Sequence, residues 1–218
     1  MHSLCRERRA NSCWVSNGFL SKEKTMMKKK TDRAPREAPP RKKFKKKGLI
    51  LLYYGNGKGK TTAALGAALR AAGWGWKTAV VQFIKGAWKT GESAAAAGLL
   101  KQHITLAVMG DGFTWDTRHY EEDCRSAEKA WKKCREVLRD PAYQLVIWDE
   151  ILYALKYRFL DVKDVVRELQ KKPAGKHVIL TGNYAPEALK AVADLVTEMR
   201  CRKHPFDSGI LAQPGIDF

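Results

Sequence analysis

The chain has 218 residues, a length typical of one ordinary domain with an appendage rather than of two full domains. Its 44% hydrophobic content and seven tryptophans exclude a collagen-like or wholly disordered chain and allow a sizeable core. The formal net charge of +18 has the sign that nucleic-acid binding requires, so its distribution along the chain decides what it means.

Most of the positive charge belongs to the first 47 residues. Residues 1–47 contain 16 Lys and Arg but 4 Asp and Glu, a net +12, which leaves +6 for residues 48–218. Lysine runs interrupted by prolines, with few large apolar groups, predict a disordered basic N-terminal extension at 1–47 ahead of one domain at 48–218. The extension is either an arm that binds polyanions or a solvated flexible leader.

Cellular location and thiol chemistry follow from what the sequence lacks. No stretch approaches the about 18 apolar residues of a membrane-spanning helix, and the N-terminus has no apolar signal core. The five cysteines are odd in number and show no CxxC spacing, so they support neither a disulfide framework nor a zinc site. We therefore expect a cytoplasmic protein with reduced thiols and no membrane partner.

From residue 49 onward, short apolar runs alternate with helical stretches. The predicted strands are 49–54, 78–84, 104–108, 145–148, 177–181 and a weaker one at 195–199. The predicted helices are 60–72, 93–101, 121–138, 151–157, 162–171 and 186–193. This alternation predicts an α/β fold with a mostly parallel sheet and helices on both faces.

The first predicted strand is followed by a glycine-rich loop and a helix, with the sequence Gly55-Asn56-Gly57-Lys58-Gly59-Lys60-Thr61-Thr62. Glycines let consecutive backbone N–H groups approach phosphate oxygens, and the helix N-terminus adds the positive end of its dipole. Lys60 would supply a positive charge, and Thr61 would offer its hydroxyl to a Mg²⁺ ion that arrives with the polyphosphate. The pattern predicts a nucleotide-phosphate site; the alternative is an ordinary glycine-rich turn.

The loop departs from the usual spacing GxxxxGK[ST]. That spacing requires a glycine where this chain has Tyr54, and counting from Gly55 leaves three intervening residues. The loop is a shortened variant, so the usual position of each phosphate does not follow from the sequence.

A second candidate metal-binding segment is the pair of acidic residues that follows the predicted strand at 145–148. Asp149 and Glu150 stand at its carboxyl end, where open α/β sheets bind their ligands. Either carboxylate could hold Mg²⁺ directly or through water. The alternative is a helix cap followed by an acidic residue in the first turn.

Together, these segments resemble the P-loop ATP:corrinoid adenosyltransferase family from about residue 48 to residue 218. The shared motifs are the shortened loop, Gln82-Phe83-Ile84-Lys85-Gly86, Gly112-Phe113-Thr114-Trp115, Trp148-Asp149-Glu150, Thr181-Gly182, residues 193–199 and the closing run 203–218. Asn183 departs from the family pattern, in which an Arg commonly follows Thr-Gly.

The resemblance implies a P-loop NTPase-like, recombinase-like fold and a transfer reaction. The Co(I) centre of a corrinoid, either cobalamin or cobyrinic acid a,c-diamide, attacks the 5′ carbon of ATP and releases triphosphate. Mg²⁺ or Mn²⁺ would assist, a reduced flavoprotein would donate electrons, and the protein would be a homodimer. The resemblance also implies that the triphosphate binds in reverse, which agrees with the shortened loop.

The resemblance also assigns residues. The loop amides, Lys60, and Mg²⁺ held by Thr61 and Glu150 would stabilise the negative charge of the leaving triphosphate. Phe113 and Trp115 would pack below the corrin, displace its lower axial ligand and so ease the reduction of Co(II). Their alternative role is to anchor the loop that carries them.

Glu92 has two possible positions. It follows Gly91 and either lies near the ribose of the nucleotide or caps the next helix.

Two other functions would also use a nucleotide-phosphate site. A recombinase-like ATPase would bind nucleic acid through the basic arm, but it needs a basic body, and the net +6 of residues 48–218 argues against it. A small-molecule kinase would need an arginine-rich lid, and no such cluster lies between Asp161 and Lys176.

Overall fold

The computed structural model describes residues 45–84, 90–109 and 120–217. Their strands are β1 Ile50–Tyr54, β2 Thr78–Gln82, β3 Ile104–Val108, β4 Leu145–Asp149, β5 His177–Gly182 and β6 Leu195–Glu198. Their α-helices are α1 Lys60–Gly73, α2 Gly91–Ala97, α3 Tyr120–Arg139, α4 Ile151–Lys156, α5 Val162–Gln170 and α6 Glu187–Val192. The extension predicted at 1–47 lies outside these residues except for its last three.

The six strands form one sheet in the order β3-β2-β4-β5-β1-β6, and every pair of neighbours is parallel. The predicted α/β fold is thus confirmed, with a sheet that is parallel throughout the described residues rather than mostly parallel. Because all strands run the same way, their carboxyl ends meet at one edge of the sheet. That edge carries the ends of β1, β2, β4 and β5.

Helices cover both faces of the sheet, as the sequence predicts. On one face, alternate residues such as Leu52 and Val81 pack against α3 to α6. On the other face, Val80 and Ile147 pack against α1 and α2, where the small side chains of Ala64 and Ala68 face the sheet. The strands β2 and β4 are buried at all five positions, which is why they appear in the sequence as continuous apolar runs.

Capping side chains set some element ends. The second helix begins at Gly91 rather than at 93, because Thr90 and Ser93 form a capping box: the Thr90 side chain accepts from the Ser93 N–H and the Ser93 side chain from the Thr90 N–H. It ends before Gly98 rather than at 101. Asp161 caps α5 as predicted, accepting a hydrogen bond from the Lys163 N–H at 2.9 Å.

None of the helices in the described ranges combines the length and the apolar character that crossing a bilayer requires.

Candidate active site

The glycine-rich loop leaves β1 and passes close to the backbone that follows β6. The Gly57 N–H donates to the carbonyl of Met199 at 2.7 Å, and the Gly55 N–H donates to the carbonyls of Gly182 and Asn183, each at 3.2 Å. A Cβ on Gly57 would lie 2.8 Å from the carbonyl carbon of Met199. These two glycines therefore hold the loop against neighbouring strands.

The start of α1 is the anion-binding part of the loop. Gly59 precedes the helix with φ 101°, a left-handed conformation that glycine adopts without strain. The amides of Lys60, Thr61 and Thr62 lie in the first turn, where an α-helix offers no intrahelical acceptor. Lys60 is buried, and its Nζ donates to the Gly57 carbonyl at 2.8 Å. Three amides and an ammonium group thus converge at one helix terminus.

Asp149 is the centre of the polar network beside this terminus. The carboxylate is fully buried at the end of β4, and its Oδ1 accepts from the hydroxyls of Thr61 at 2.9 Å and Thr181 at 2.8 Å. Its Oδ2 accepts from the Gln82 amide at 3.0 Å. Because β4 lies between β2 and β5, Gln82 and Thr181 approach Asp149 from opposite sides. Three donors therefore fix the carboxylate in one orientation next to Thr61.

Glu150 has a strained backbone. Its φ of 62° is left-handed, which costs a non-glycine residue about 1–2 kcal/mol. Its N–H donates to the Thr181 hydroxyl at 2.8 Å, so the hydroxyl that orients Asp149 also holds this turn. Burial first, and the Glu150 carboxylate second, raise the pKa of Tyr153. The Glu150 side chain therefore lies near the first turn of α4.

Asn183 has a structural role at the carboxyl-end edge of the sheet. Its Nδ2 donates to the Tyr153 hydroxyl at 2.6 Å, and its backbone carbonyl accepts from the Gly55 N–H. The residue that replaces the family's usual Arg thus joins α4 to the loop.

Oxygen donors beside the loop suit a hard divalent cation. Thr61 and Asp149 are in contact, and Glu150 is the next residue along the chain. In the described residues, no group of three or more His, Cys, Asp or Glu side chains could hold a metal alone. Mg²⁺ is usually held by one or two carboxylates together with substrate phosphates, so this donor set fits Mg²⁺ bound with a nucleotide.

A cleft of about 420 Å³ opens between α1 and α2 beside the loop. Thr62, the residue after Thr61, lines one side of the cleft. Glu92, in the first turn of α2, lines the other side. The remaining lining is mostly apolar and includes Leu65, Leu69, Ala95, Ala96, Leu100, Leu106 and Ile216. Its volume and mostly apolar lining with a few polar groups are those of a small-molecule site.

The closing run of the chain returns to the loop. The Cys201 N–H donates to the Asn56 side chain at 3.0 Å, and Asp217 forms an ion pair with Lys58. Asn56 and Lys58, predicted from the motif as nucleotide-binding residues, are thus both in contact with the C-terminal segment.

Of the predicted site residues, the structure brings Lys60, Thr61 and Asp149 together and sets Thr62 and Glu92 along the cleft. Phe113 and Trp115 lie outside the described residues. Sequence reasoning assigned no role to Gln82, Thr181 or Asp217. The first two are polar residues near the ends of apolar strands, a signal that becomes informative only when the strand order is known.

Comparison with known proteins agrees with this geometry. Residues 46–218 match the family model described as ATP:corrinoid adenosyltransferase BtuR/CobO/CobP. A corrinoid adenosyltransferase of Sinorhizobium sp. is 47% identical over 88% of this chain and 90% of its own length. Proteins of the same name from Pseudomonas aeruginosa and Escherichia coli (strain K12) are 44% and 43% identical, over 79% of this chain and 84% and 86% of their own lengths. The chain therefore belongs to the ATP:corrinoid adenosyltransferase family of enzymes.

Proposed function

We propose that this enzyme transfers the 5′-deoxyadenosyl group of ATP to the Co(I) centre of a corrinoid, in the biosynthesis or salvage of adenosylcobalamin. The Co(I) electron pair forms the Co–C bond, the C5′–O bond breaks, and its electron pair leaves with inorganic triphosphate. The observation that carries the proposal is the family match over residues 46–218, and the contact between Thr61 and Asp149 beside a shortened phosphate loop supports its nucleotide-binding part. The basic-arm ATPase that binds nucleic acid has no support among the relatives.

The residues at the start of α1 would stabilise the leaving group. Triphosphate gains negative charge as the C5′–O bond breaks, and Lys60 with the first-turn amides presents positive charge in a buried place. Since Co(I) is itself the nucleophile, no general base is required.

Thr61, Asp149 and Glu150 would hold Mg²⁺ (or Mn²⁺). The ion would neutralise part of the triphosphate charge when bound. The fit of these oxygen donors to Mg²⁺ supports the assignment, together with the hydrogen bonds from Gln82 and Thr181 that orient Asp149.

The cleft between α1 and α2 would hold the nucleoside. Its apolar lining suits an adenine ring, and Glu92 would accept a hydrogen bond from a ribose hydroxyl. The position of Thr62 next to Thr61 supports this assignment, because it joins the cleft to the phosphate site.

We further propose a P-loop NTPase-like, recombinase-like class for the domain at 48–218, with a disordered basic extension at 1–47. The strand–loop–helix unit with Lys60 and Thr61 supports the class. Mild positive charge on the body is compatible with an acidic reduced flavoprotein as electron donor. The homodimer and the cytoplasmic location stay predictions.

An anaerobic assay tests the reaction. The protein is mixed with ATP, Mg²⁺ and chemically reduced cobalamin, and alkylation of cobalt is followed by the absorbance change and by the light sensitivity of the product. We expect stoichiometric release of triphosphate with the alkylated corrinoid. Release of ADP without alkylation would show that the protein is an ordinary nucleotidase.

The same assay tests Phe113 and Trp115. When the reaction starts from Co(II) with an enzymatic reductant, Phe113→Ala and Trp115→Ala are expected to lose most activity, because the axial ligand then stays on cobalt. With preformed Co(I), the loss is expected to be much smaller. Equal losses in the two arms would contradict the ligand-displacement role.

A further inference from the structure

Four aromatic side chains form a continuous series beside the candidate active site. Tyr153 stacks on Tyr157 with ring centroids 6.2 Å apart, and Tyr157 stacks on Phe159 at 5.9 Å. Tyr120 meets Phe159 at 5.4 Å with the rings tilted by 60°. These four residues are called the aromatic wall below.

One end of the wall touches the site, and the other end follows in the chain a segment proposed to contact the corrin. At one end, the Tyr153 hydroxyl accepts from Asn183, whose carbonyl accepts from the Gly55 N–H of the phosphate loop. At the other end, Tyr120 is the first residue of α3 and directly follows the segment 110–119, which contains Phe113 and Trp115. The wall therefore runs from a neighbour of the phosphate loop to the end of the segment proposed to contact the corrin.

The wall is not simply core. Tyr157 is 40% exposed and Tyr120 is 51% exposed, whereas most large apolar side chains of α3 and α4 are buried. Tyrosine rings combine apolar edges with hydroxyl groups that bond to polar partners. Since Tyr157 is stacked between two other rings, the wall offers ring edges and hydroxyls to a ligand rather than a free ring face.

Two cations flank the wall. The Lys156 Nζ lies 5.5 Å from the centroid of the Tyr157 ring, and the Arg158 guanidinium lies within electrostatic range of Tyr120. Neither forms an ion pair with a described residue. Arg158 has φ 62° because it follows the C-cap of α4, where the Phe159 N–H donates to the Ala154 carbonyl and the Arg158 N–H to the Leu155 carbonyl, as in a Schellman motif.

The acidic residues nearby are already engaged. At the start of α3, Glu121 pairs with Arg125, and Glu122 and Asp123 each have a partner. The Glu150 carboxylate lies near Tyr153 at the other end of the wall, so Lys156 and Arg158 make the end around Tyr157 and Tyr120 positively charged.

We propose that the aromatic wall, with Lys156 and Arg158, binds the rim of the corrin substrate and favours corrinoids that carry free carboxylates on that rim. A corrin rim alternates methyl groups with amide or carboxylate side chains, which match apolar ring edges, phenol hydroxyls and cations. The wall lies close to the candidate metal site in the chain, because α4 begins directly after Glu150 and its six residues span about 9 Å. The inference rests on the proposed adenosyl transfer and names the surface that selects its substrate.

The test compares two chemically reduced substrates, cobyrinic acid a,c-diamide with carboxylates on its rim and fully amidated cobalamin. For the double variant Lys156→Gln with Arg158→Asn, we expect KM for the carboxylate-bearing substrate to rise about tenfold, with kcat and the KM for cobalamin nearly unchanged. Asn is chosen because it tolerates the left-handed conformation of Arg158. The matched control is Lys77→Gln with Lys101→Gln, at the opposite edge of the sheet, which should leave both KM values unchanged.

Variants of Tyr157 separate the apolar contribution to corrinoid binding from the contribution of charge. Tyr157→Leu should raise KM for both corrinoids, while Tyr157→Phe should keep most of the affinity, and the KM for ATP should stay the same in each. Spectral titration with the oxidised corrinoids measures the same affinities without turnover, and circular dichroism checks folding. Unchanged corrinoid affinity in Tyr157→Leu, or equal effects of the double variant on the two substrates, would overturn the inference. Absence of alkylation by the unmodified enzyme would instead overturn the proposed function.

Discussion

Gly57 has to be glycine because of its neighbour rather than because of its own backbone angles. A Cβ would lie 2.8 Å from the Met199 carbonyl carbon and 2.9 Å from that of Arg200, and neither backbone atom can rotate away. Gly57→Ala is therefore expected to displace the loop, at a cost of about 1–3 kcal/mol, and to weaken ATP binding roughly tenfold or more. Calorimetric titration with Mg-ATP and urea unfolding measure the two effects.

The control is Gly73→Ala at the end of α1, where a Cβ would meet nothing within 4 Å. It should keep the ATP affinity and gain up to about 1 kcal/mol of stability from helix propensity. Unchanged ATP affinity in Gly57→Ala would mean that the loop binds phosphate without its contact to Met199.

For single residues, the sequence predicts which side chains belong to the site better than it predicts how those side chains are arranged. Lys60 and Thr61 follow from the spacing of the phosphate-loop motif, and Asp149 follows from its position at the carboxyl end of an apolar strand. The roles of Gln82 and Thr181 do not follow, because they depend on β4 lying between β2 and β5. The left-handed Glu150 is likewise imposed by the surrounding turn and by its bond to Thr181.

Among the elements, β5 is joined to β1 by a side chain that can titrate. The His177 Nδ1 accepts from the Leu49 N–H at 3.2 Å, and the ring stacks on Trp76. Burial first, and the positive charge of Lys172 second, lower the pKa of His177. The unfolded chain then binds a proton more readily than the folded one, so the contribution of His177 to stability is complete above about pH 6.5 and is lost as pH falls through the folded pKa.

The urea midpoint of the protein should therefore fall between about pH 7.5 and 5.5 more steeply than that of His177→Gln. Glutamine keeps an acceptor for the Leu49 N–H but does not titrate. Subtracting the urea midpoint of one protein from that of the other at each pH removes the contribution of the other titratable groups. Parallel pH profiles would show that His177 keeps its ordinary proton affinity in the fold.

Each strand and α-helix of the described residues was predictable, whereas the 3₁₀-helix Pro205–Ser208 was not, and most boundaries fall within one or two residues of the prediction. The exception is the end of α2, which Gly98 places four residues before the predicted end. The weakness of the β6 signal also has a physical cause. Among the described residues this strand pairs with β1 alone, and all four of its residues are exposed, so it has no continuous apolar run. Strand order could not be predicted, because it depends on contacts between distant segments.

For the whole molecule, the net charge is less informative than the placement of single charges. Residues 48–218 have a net +6, yet Asp217 near the C-terminus pairs with Lys58 in the phosphate loop. The carboxylate thus neutralises a loop cation next to the place proposed for a triphosphate. No local motif predicts this contact, which joins the two ends of the domain.

Asp217→Asn should tighten the binding of inorganic triphosphate severalfold at low salt. The amide removes a negative charge close to the anion but keeps an oxygen that can accept the Gln213 N–H, as Asp217 does at 2.8 Å. Because Lys58 is half exposed, salt should screen the gain, and the two proteins should converge at high ionic strength. Asp207→Asn, the same charge change within the 3₁₀-helix Pro205–Ser208, serves as the control in calorimetric titrations. Weaker binding by Asp217→Asn would mean that the ion pair shapes the loop for triphosphate instead of competing with it.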